Sequence, residues 1–166
     1  MKLATNLTLG GQPANLIDHD IVLDLCAGGR AALTIEGTAS KGQTFTLDTG
    51  DGEDRNVVIK LRDDLAPNHV KQITDLASEG FYDGVVFHRV IPGFMAQGGD
   101  PTGTGTGGSG KKLDAEFSKE KHVRGTVSMA RAASPNSADS QFFIVFEPAS
   151  HLDGQYTIWG RVVEGM

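Results

Sequence analysis

Three features of this 166-residue chain predict a mainly β fold, closed or sandwich-like, covered by a single helix. Glycine is abundant, 22 residues where a share of about 7% is usual, so tight turns are frequent and strands short. Apolar residues alternate with polar ones in several short runs bounded by turn-forming residues. Only one segment carries the three-to-four-residue spacing of an amphipathic helix.

In chain order, residues 21–25 and 32–35, separated by Gly28-Gly29, predict a first β-hairpin. Asp18, His19, Asp20 and Asp24 nearby read as a solvated acidic turn rather than a metal site. Phe45 and Leu47 then alternate with Thr44, Thr46 and Asp48, and after a turn at Gly50-Asp51-Gly52 the alternation resumes at Val57, Ile59 and Leu61, a second hairpin. The helix follows: Pro67 suits its first position, Val70, Ile73, Leu76 and Ala77 share a face, and Gly80 suits the residue just past its end. Short strands are expected over 85–91, 126–130, 141–146 and 156–163, with the glycine-rich stretch 103–110 as a connection. Every aromatic residue except Phe45 lies from Phe81 onward. Residues 1–43 therefore form a β-rich segment with little core of its own, and 44–166 the main domain.

Composition removes several function classes. A formal charge of −6 opposes attraction to nucleic acid, and no apolar run approaches the ~20 residues of a membrane span. Cys26 has no partner for an internal disulfide, and five scattered histidines offer no metal-ligand spacing. With no leader-like apolar stretch at the start, a cytoplasmic, reducing location is expected. Gly105 to Lys111 has the spacing of a phosphate loop, but Lys112 stands where a hydroxyl is needed and no apolar helix follows; the dinucleotide reading of Gly103, Gly105 and Gly108 lacks a βαβ frame. Ser128, Ser137 and Ser140, with His88, His122 and His151, supply the residue types of a hydrolytic triad, yet no serine sits in a nucleophile elbow and turn serines are the better reading.

Two segments are more specific. In Phe87-His88-Arg89-Val90-Ile91-Pro92-Gly93-Phe94-Met95-Ala96-Gln97-Gly98-Gly99-Asp100, period two places Val85, Phe87 and Arg89 on one strand face, so a permanent cation lies in line with apolar neighbours. Phe94 and Met95 then leave that strand through Pro92-Gly93 and set apolar area beside the Gln97 amide. The second segment runs from Ser128-Met129-Ala130-Arg131-Ala132 to Ser140-Gln141-Phe142-Phe143-Ile144. Together, in this order and approximate spacing, they resemble the cyclophilin family of peptidyl-prolyl cis/trans isomerases, closest to the small bacterial type, over roughly three quarters of the chain from about Thr44.

The resemblance implies a closed, eight-stranded antiparallel barrel with the active face outside it, and an enzyme that needs no cofactor or metal. It places the catalytic arginine on Arg89, the proline pocket on Phe94, Met95, Phe143 and Leu152, and the groove amide on Gln97. Gly105, Ala130, Arg131, Ala132 and Gln141 match groove positions for the residues before the proline, and Tyr156 a rim position where many members carry histidine. The implied partners are proline-containing peptides and unfolded or partly folded proteins, engaged by a monomer; a non-catalytic proline-peptide module is the alternative. His151 stands where many eukaryotic members have the tryptophan used in cyclosporin binding, implying weak drug binding, and Arg131 replaces a frequent asparagine. The chain stops at Met166, where the family continues through a second helix and a closing strand, so a barrel incomplete at that end is expected. Either strands from 21–25 or 32–35 fill the vacancy, or residues 1–43 belong with another partner.

Overall fold

The computed structural model describes residues 57–166 in full, together with the backbone of Asn56 and of six earlier strand segments. In chain order the first four segments are β1 (Leu7–Leu9), β2 (Gln12–Ala14), β3 (Leu16–Ile17) and β4 (Asp20–Ile21), paired as β1 with β2 and β3 with β4. Next come β5 (Ala32–Glu36), β6 (Thr44–Asp48), β7 (Asn56–Leu61) and helix α1 (Pro67–Ser78). The remaining strands are β8 (Arg89–Ile91), β9 (Met95–Gly98), β10 (Thr126–Met129), β11 (Phe142–Val145) and β12 (Ile158–Glu164).

Six strands from Asn56 onward form an antiparallel sheet in the order β7-β12-β10-β11-β9-β8, and the backbone of β6 and then β5 extends the ladder past β7. The expected closed eight-stranded barrel is therefore corrected to an open sheet. Closure requires the end strands to meet in a matched register, whereas β5 and β8 each pair on one side only among the described residues. The second predicted hairpin is present as β6 and β7, with Phe45 opposite Ile59 and Leu47 opposite Val57; its turn lies outside the described residues. Of the first, only Ile21 and the Ala32–Glu36 strand are among the described residues. Ala32–Glu36 pairs with β6, a register that sets Leu33 opposite Leu47 and Ile35 opposite Phe45, and residues 22–31 lie outside the described residues.

Helix α1 starts with Pro67 at its first position, and its end is closed as Gly80 predicts. The Gly80 N–H donates to the Ala77 carbonyl (3.0 Å) and the Phe81 N–H to the Leu76 carbonyl (2.9 Å), the paired bonds of a Schellman motif. Its other end has no local cap. Ala66 has no side chain to offer, and the Glu116 carboxylate, 48 residues away, accepts the N–H groups of Asn68 (3.2 Å) and His69 (3.0 Å) instead. The buried face, Val70, Ile73 and Ala77, packs with Ile59, Leu61, Val127, Ile144 and Trp159 into the main core.

The strand expected over 85–91 is shorter than the apolar spacing suggests. Residues 86–88 are irregular and regular pairing begins only at Arg89, so Phe87 and Arg89 do not share a strand face. Phe87 turns toward the core and meets Phe142 edge-on, with ring centroids 6.2 Å apart, while Arg89 stays exposed. The segment expected to leave the strand after Pro92 instead doubles back as β9, with Ile91 opposite Met95.

Where β12 crosses β10, Gly160 lies opposite Val127, and a Cβ at that position would come 2.6 Å from Ile59 Cγ2. Two strands and a core side chain leave that methyl group no room, so Gly160→Ala is expected to destabilise the fold by about 2 kcal/mol in urea unfolding. An unaltered unfolding midpoint would mean that this crossing is looser than described.

Candidate active site

Strand register builds the site. Across β8, β9, β11 and β10 the pairs Arg89–Gln97, Gln97–Phe143 and Phe143–Ser128 put these four residues in one row. The neighbouring row, Val90, Ala96, Ile144 and Val127, faces the other way, and its last three members are buried. Met95, Phe143 and Val145, with Ala149 and Leu152, form a second apolar cluster on the outer face, distinct from the core beneath α1. A tight turn makes this possible. Pro92 and Gly93 (φ 69°) occupy its centre and the Phe94 N–H donates to the Ile91 carbonyl (3.0 Å), as in a type II turn, returning Phe94 and Met95 alongside the strand that holds Arg89.

A cavity of about 340 Å³ opens on this face. Phe94, Met95, Phe143 and Leu152 supply its apolar wall; Arg89, Gln97, Ala130, Arg131 and Tyr156 border it. His151 borders it too, its ring 5.4 Å from that of Phe94. Gly105, Ala132 and Gln141 belong to an adjoining cavity of about 480 Å³ that shares Gln97, Ala130 and Arg131 with the first. All twelve residues singled out in the sequence thus lie along one continuous groove.

The polar side chains of the groove are ordered by a relay. Arg89 Nη1 lies 3.4 Å from Gln97 Oε1, Gln97 Nε2 donates to Gln141 Oε1 (2.9 Å), and Gln141 Nε2 donates to the carbonyls of Gly105 (3.0 Å) and Gly107 (2.8 Å). Each amide is thereby fixed in orientation, and the relay ends on the glycine-rich loop. Arg131 is held by Nε to the Gln155 carbonyl (3.1 Å) and Nη1 to the Ala132 carbonyl (3.0 Å), with its guanidinium carbon 4.6 Å above the Tyr156 ring.

The phosphate-loop spacing in the sequence has a different use here, because the loop's amides cradle the protein's own carboxylates. Asp100, fully buried, accepts the N–H groups of Thr102 (2.8 Å), Gly105 (2.6 Å) and Gly107 (3.1 Å). Asp139 accepts those of Ser109 (2.7 Å) and Gly110 (2.9 Å). Burial pushes the Asp100 carboxyl up, but the bonds from Thr102, Gly107 and Gly105 outweigh it and hold it well below the usual carboxylate range. Glycine is needed because the carboxylates fill the space: a Cβ on Gly108 would lie 2.9 Å from Asp139 Oδ2. His88 packs under the same loop, with Cδ2 3.3 Å from where a Gly105 Cβ would be.

Behind Phe143 lies the triad of residue types weighed in the sequence. His122 Nδ1 is 3.2 Å from Asp153 Oδ1 and its Nε2 is 3.2 Å from Ser128 Oγ. This is no hydrolytic site. Ser128 and His122 are buried, and the serine hydroxyl donates to the Thr157 carbonyl (2.8 Å), so no substrate carbonyl reaches it. The His122 ring instead lies nearly parallel to that of Phe143, at 6.3 Å and 18°, and backs the wall of the first cavity. Asp153 is anchored in turn by the His122 N–H and Lys121, which keep its carboxyl low, at about 2. The sequence reading marked His151 only as a drug-contact position, and it missed Lys112 as a groove residue and Asp100, Asp139, His122 and Asp153 as supports. Only the Gly-Gly-Asp of the first motif hinted at any of them.

The family model described as cyclophilin type peptidyl-prolyl cis-trans isomerase/CLD matches residues 44–166. The chain is 52% identical over 147 residues to a probable peptidyl-prolyl cis-trans isomerase of Brucella suis biovar 1, covering 81% of this chain and 74% of that one. Against peptidyl-prolyl cis-trans isomerase B of Bacillus subtilis the identity is 49% over 117 residues, covering 69% and 81%. Among solved structures it is similar to a cyclophilin type peptidyl-prolyl cis-trans isomerase of Cryptosporidium parvum, with a TM-score of 0.64, 38% identity and coverage of 66% and 72%. That relative was also crystallised in the presence of the dipeptide Ala-Pro, with a TM-score of 0.64 and coverage of 67% and 74%.

Burial, opposed in part by Asp153 and by Asp100 respectively, lowers the proton affinity of His122 and of His88 below that of a free imidazole. The unfolded chain therefore binds more protons than the folded one once pH drops below about 6.5, and stability is lost over that interval. The urea midpoint is expected to fall from about pH 7 to about pH 5. A constant midpoint across that range would show that neither ring is held neutral by the fold.

Proposed function

The chain belongs to the cyclophilin-type peptidyl-prolyl cis-trans isomerases, enzymes that speed rotation about X–Pro peptide bonds, and we propose that it does so by stabilising the twisted amide with Arg89. One observation carries this reading: Arg89 and Gln97 border the same cavity whose apolar wall is Phe94, Met95, Phe143 and Leu152.

The uncatalysed rotation is slow because amide resonance sets a barrier of about 20 kcal/mol. As the bond twists, the prolyl nitrogen loses conjugation and becomes a hydrogen-bond acceptor. A guanidinium aimed at that nitrogen binds the twisted state better than the planar one, which is the condition for acceleration. The proline ring seats against Phe143, Met95, Phe94 and Leu152, wedged from behind by His122, while Gln97 and the backbone near Arg131 hold the peptide on the other side. Rotation then occurs about one bond between two fixed ends. No nucleophile, proton transfer or electron transfer takes part.

The Ala-Pro dipeptide of the Cryptosporidium relative is chemistry of the kind this cavity suits. Proline-bearing segments of unfolded or partly folded chains are the substrates of this reading. The single Cys26 accords with a reducing, cytoplasmic setting.

In a protease-coupled assay on a prolyl tetrapeptide, Arg89→Ala is expected to lower kcat/KM about a hundredfold or more, and Gln97→Ala about tenfold or less. Because a guanidinium keeps its charge, the wild-type rate is expected to stay nearly level from about pH 6 to about pH 9. Full turnover by Arg89→Ala, or a bell-shaped profile, would remove Arg89 from this role and favour a module that binds prolines without catalysis.

A further inference from the structure

Charge is distributed against the overall balance of the chain. The protein carries a formal charge of −6, yet its groove is lined by three cations, Arg89, Arg131 and Lys112, and one acidic side chain, Asp139. Asp139 is already occupied, accepting the N–H groups of Ser109 and Gly110 and the Ser109 hydroxyl (2.5 Å).

The cations differ from Asp139 in having no counter-charge bound to them among the described residues. Arg62, Lys71 and Lys121 each have a carboxylate within ion-pair distance, whereas among the described residues Arg89, Arg131 and Lys112 have none. Arg131 spends Nε and Nη1 on carbonyl oxygens and rests on the Tyr156 ring, which fixes its plane and leaves Nη2 without an acceptor among the described residues. Lys112 is exposed and borders the second cavity, as Arg131 does. Gly105, Gly107, Gly108 and Gly110 make up much of the rest of this lining, and Asp139 is its one carboxylate.

We propose that the second cavity selects substrates with an acidic side chain, a carboxylate or a phosphate ester, about two residues before the proline, held between Lys112 and Arg131. This rests on the reading above only in placing the proline in the first cavity, from which an extended peptide passes into the second over their shared residues Gln97, Ala130 and Arg131. A carboxylate about 7 Å from each cation in a water-like medium gains roughly threefold in affinity from each, and the gain is screened by salt. Asp139, Lys111 and Asp114 are the other charged side chains on this stretch of loop and its neighbour. Asp139 is held by loop amides, and neither Lys111 nor Asp114 borders the cavity.

The test uses three peptides, acetyl-Glu-Ala-Pro-Phe amide and its Gln and Lys counterparts, titrated into the full chain by NMR at low ionic strength and again in about 0.5 M NaCl. The Glu peptide is expected to bind about tenfold more tightly than the Gln peptide at low salt, the Lys peptide more weakly than either, and the differences to shrink at high salt. Lys112→Glu is expected to abolish or reverse the order. A Glu peptide that binds no more tightly than the Gln peptide, or a preference untouched by Lys112→Glu, overturns the proposal. Turnover of the Gln peptide is read separately and tests the isomerase mechanism alone. Selectivity without turnover would sink Arg89 catalysis, and turnover without selectivity would sink only the acidic preference.

Discussion

Arg89, Gln97 and Phe143 sit on three different strands and reach one cavity because the antiparallel register of β8, β9 and β11 holds them in a row. Side chains alternate along a strand, so a one-residue slip in any of these ladders would turn the arginine or the phenylalanine toward the core. The slip is prevented from the other side. Ala96, Ile144 and Val127 are buried in the adjacent row, and moving them outward would expose what the core holds. The site is thus secured by residues that never touch a substrate, and the guanidinium stays exposed while its apolar neighbours stay covered.

Buried polar groups supply the second constraint. A carboxylate removed from water is tolerable only when its lone pairs are satisfied, and Asp100 meets that condition by gathering the loop from Thr102 to Gly107 around itself. The loop so shaped offers its Gly105 and Gly107 carbonyls to Gln141, which orients Gln97, which meets Arg89. A buried acid and an exposed cation are in this way connected through Gly105 and Gly107, Gln141 and Gln97 without touching. On the far side of the cavity, Asp153 and His122 do the same for Phe143. Because the chemistry is rotation about a bond, the precision of this scaffold takes the place that a nucleophile or metal holds in other enzymes.

Much of this was legible along the chain. The alternation of Phe45, Leu47, Val57 and Ile59 corresponds to the β6–β7 pair, and Pro67 and Gly80 mark the two ends of α1. These signals are local, set by backbone preferences within a few residues. The two long motifs contain Arg89, Phe94, Met95, Gln97, Ala130, Arg131, Ala132, Gln141 and Phe143, and the resemblance they carry extended the groove to Gly105, Leu152 and Tyr156, because a family pattern carries tertiary proximity that spacing alone does not. Apolar periodicity misled where it was short. Val85, Phe87 and Arg89 look like one face of a strand, but the aromatic pairing of Phe87 with Phe142 draws residues 86–88 out of the ladder.

The amino-acid sequence by itself determined the class of elements, the helix ends, the glycine loop and the identity of the cation and apolar residues that meet at the groove, since each of these follows from local conformational preference or from a long specific motif. Tertiary structure alone decided the rest. It decided that the sheet stays open, that Glu116 caps a helix 48 residues away, that a phosphate-like loop wraps Asp100, and that Ser128, His122 and Asp153 form a buried prop rather than a hydrolytic centre. Each of those outcomes depends on which distant groups become neighbours and on whether water is excluded between them, and neither is encoded in the spacing of residues along the chain.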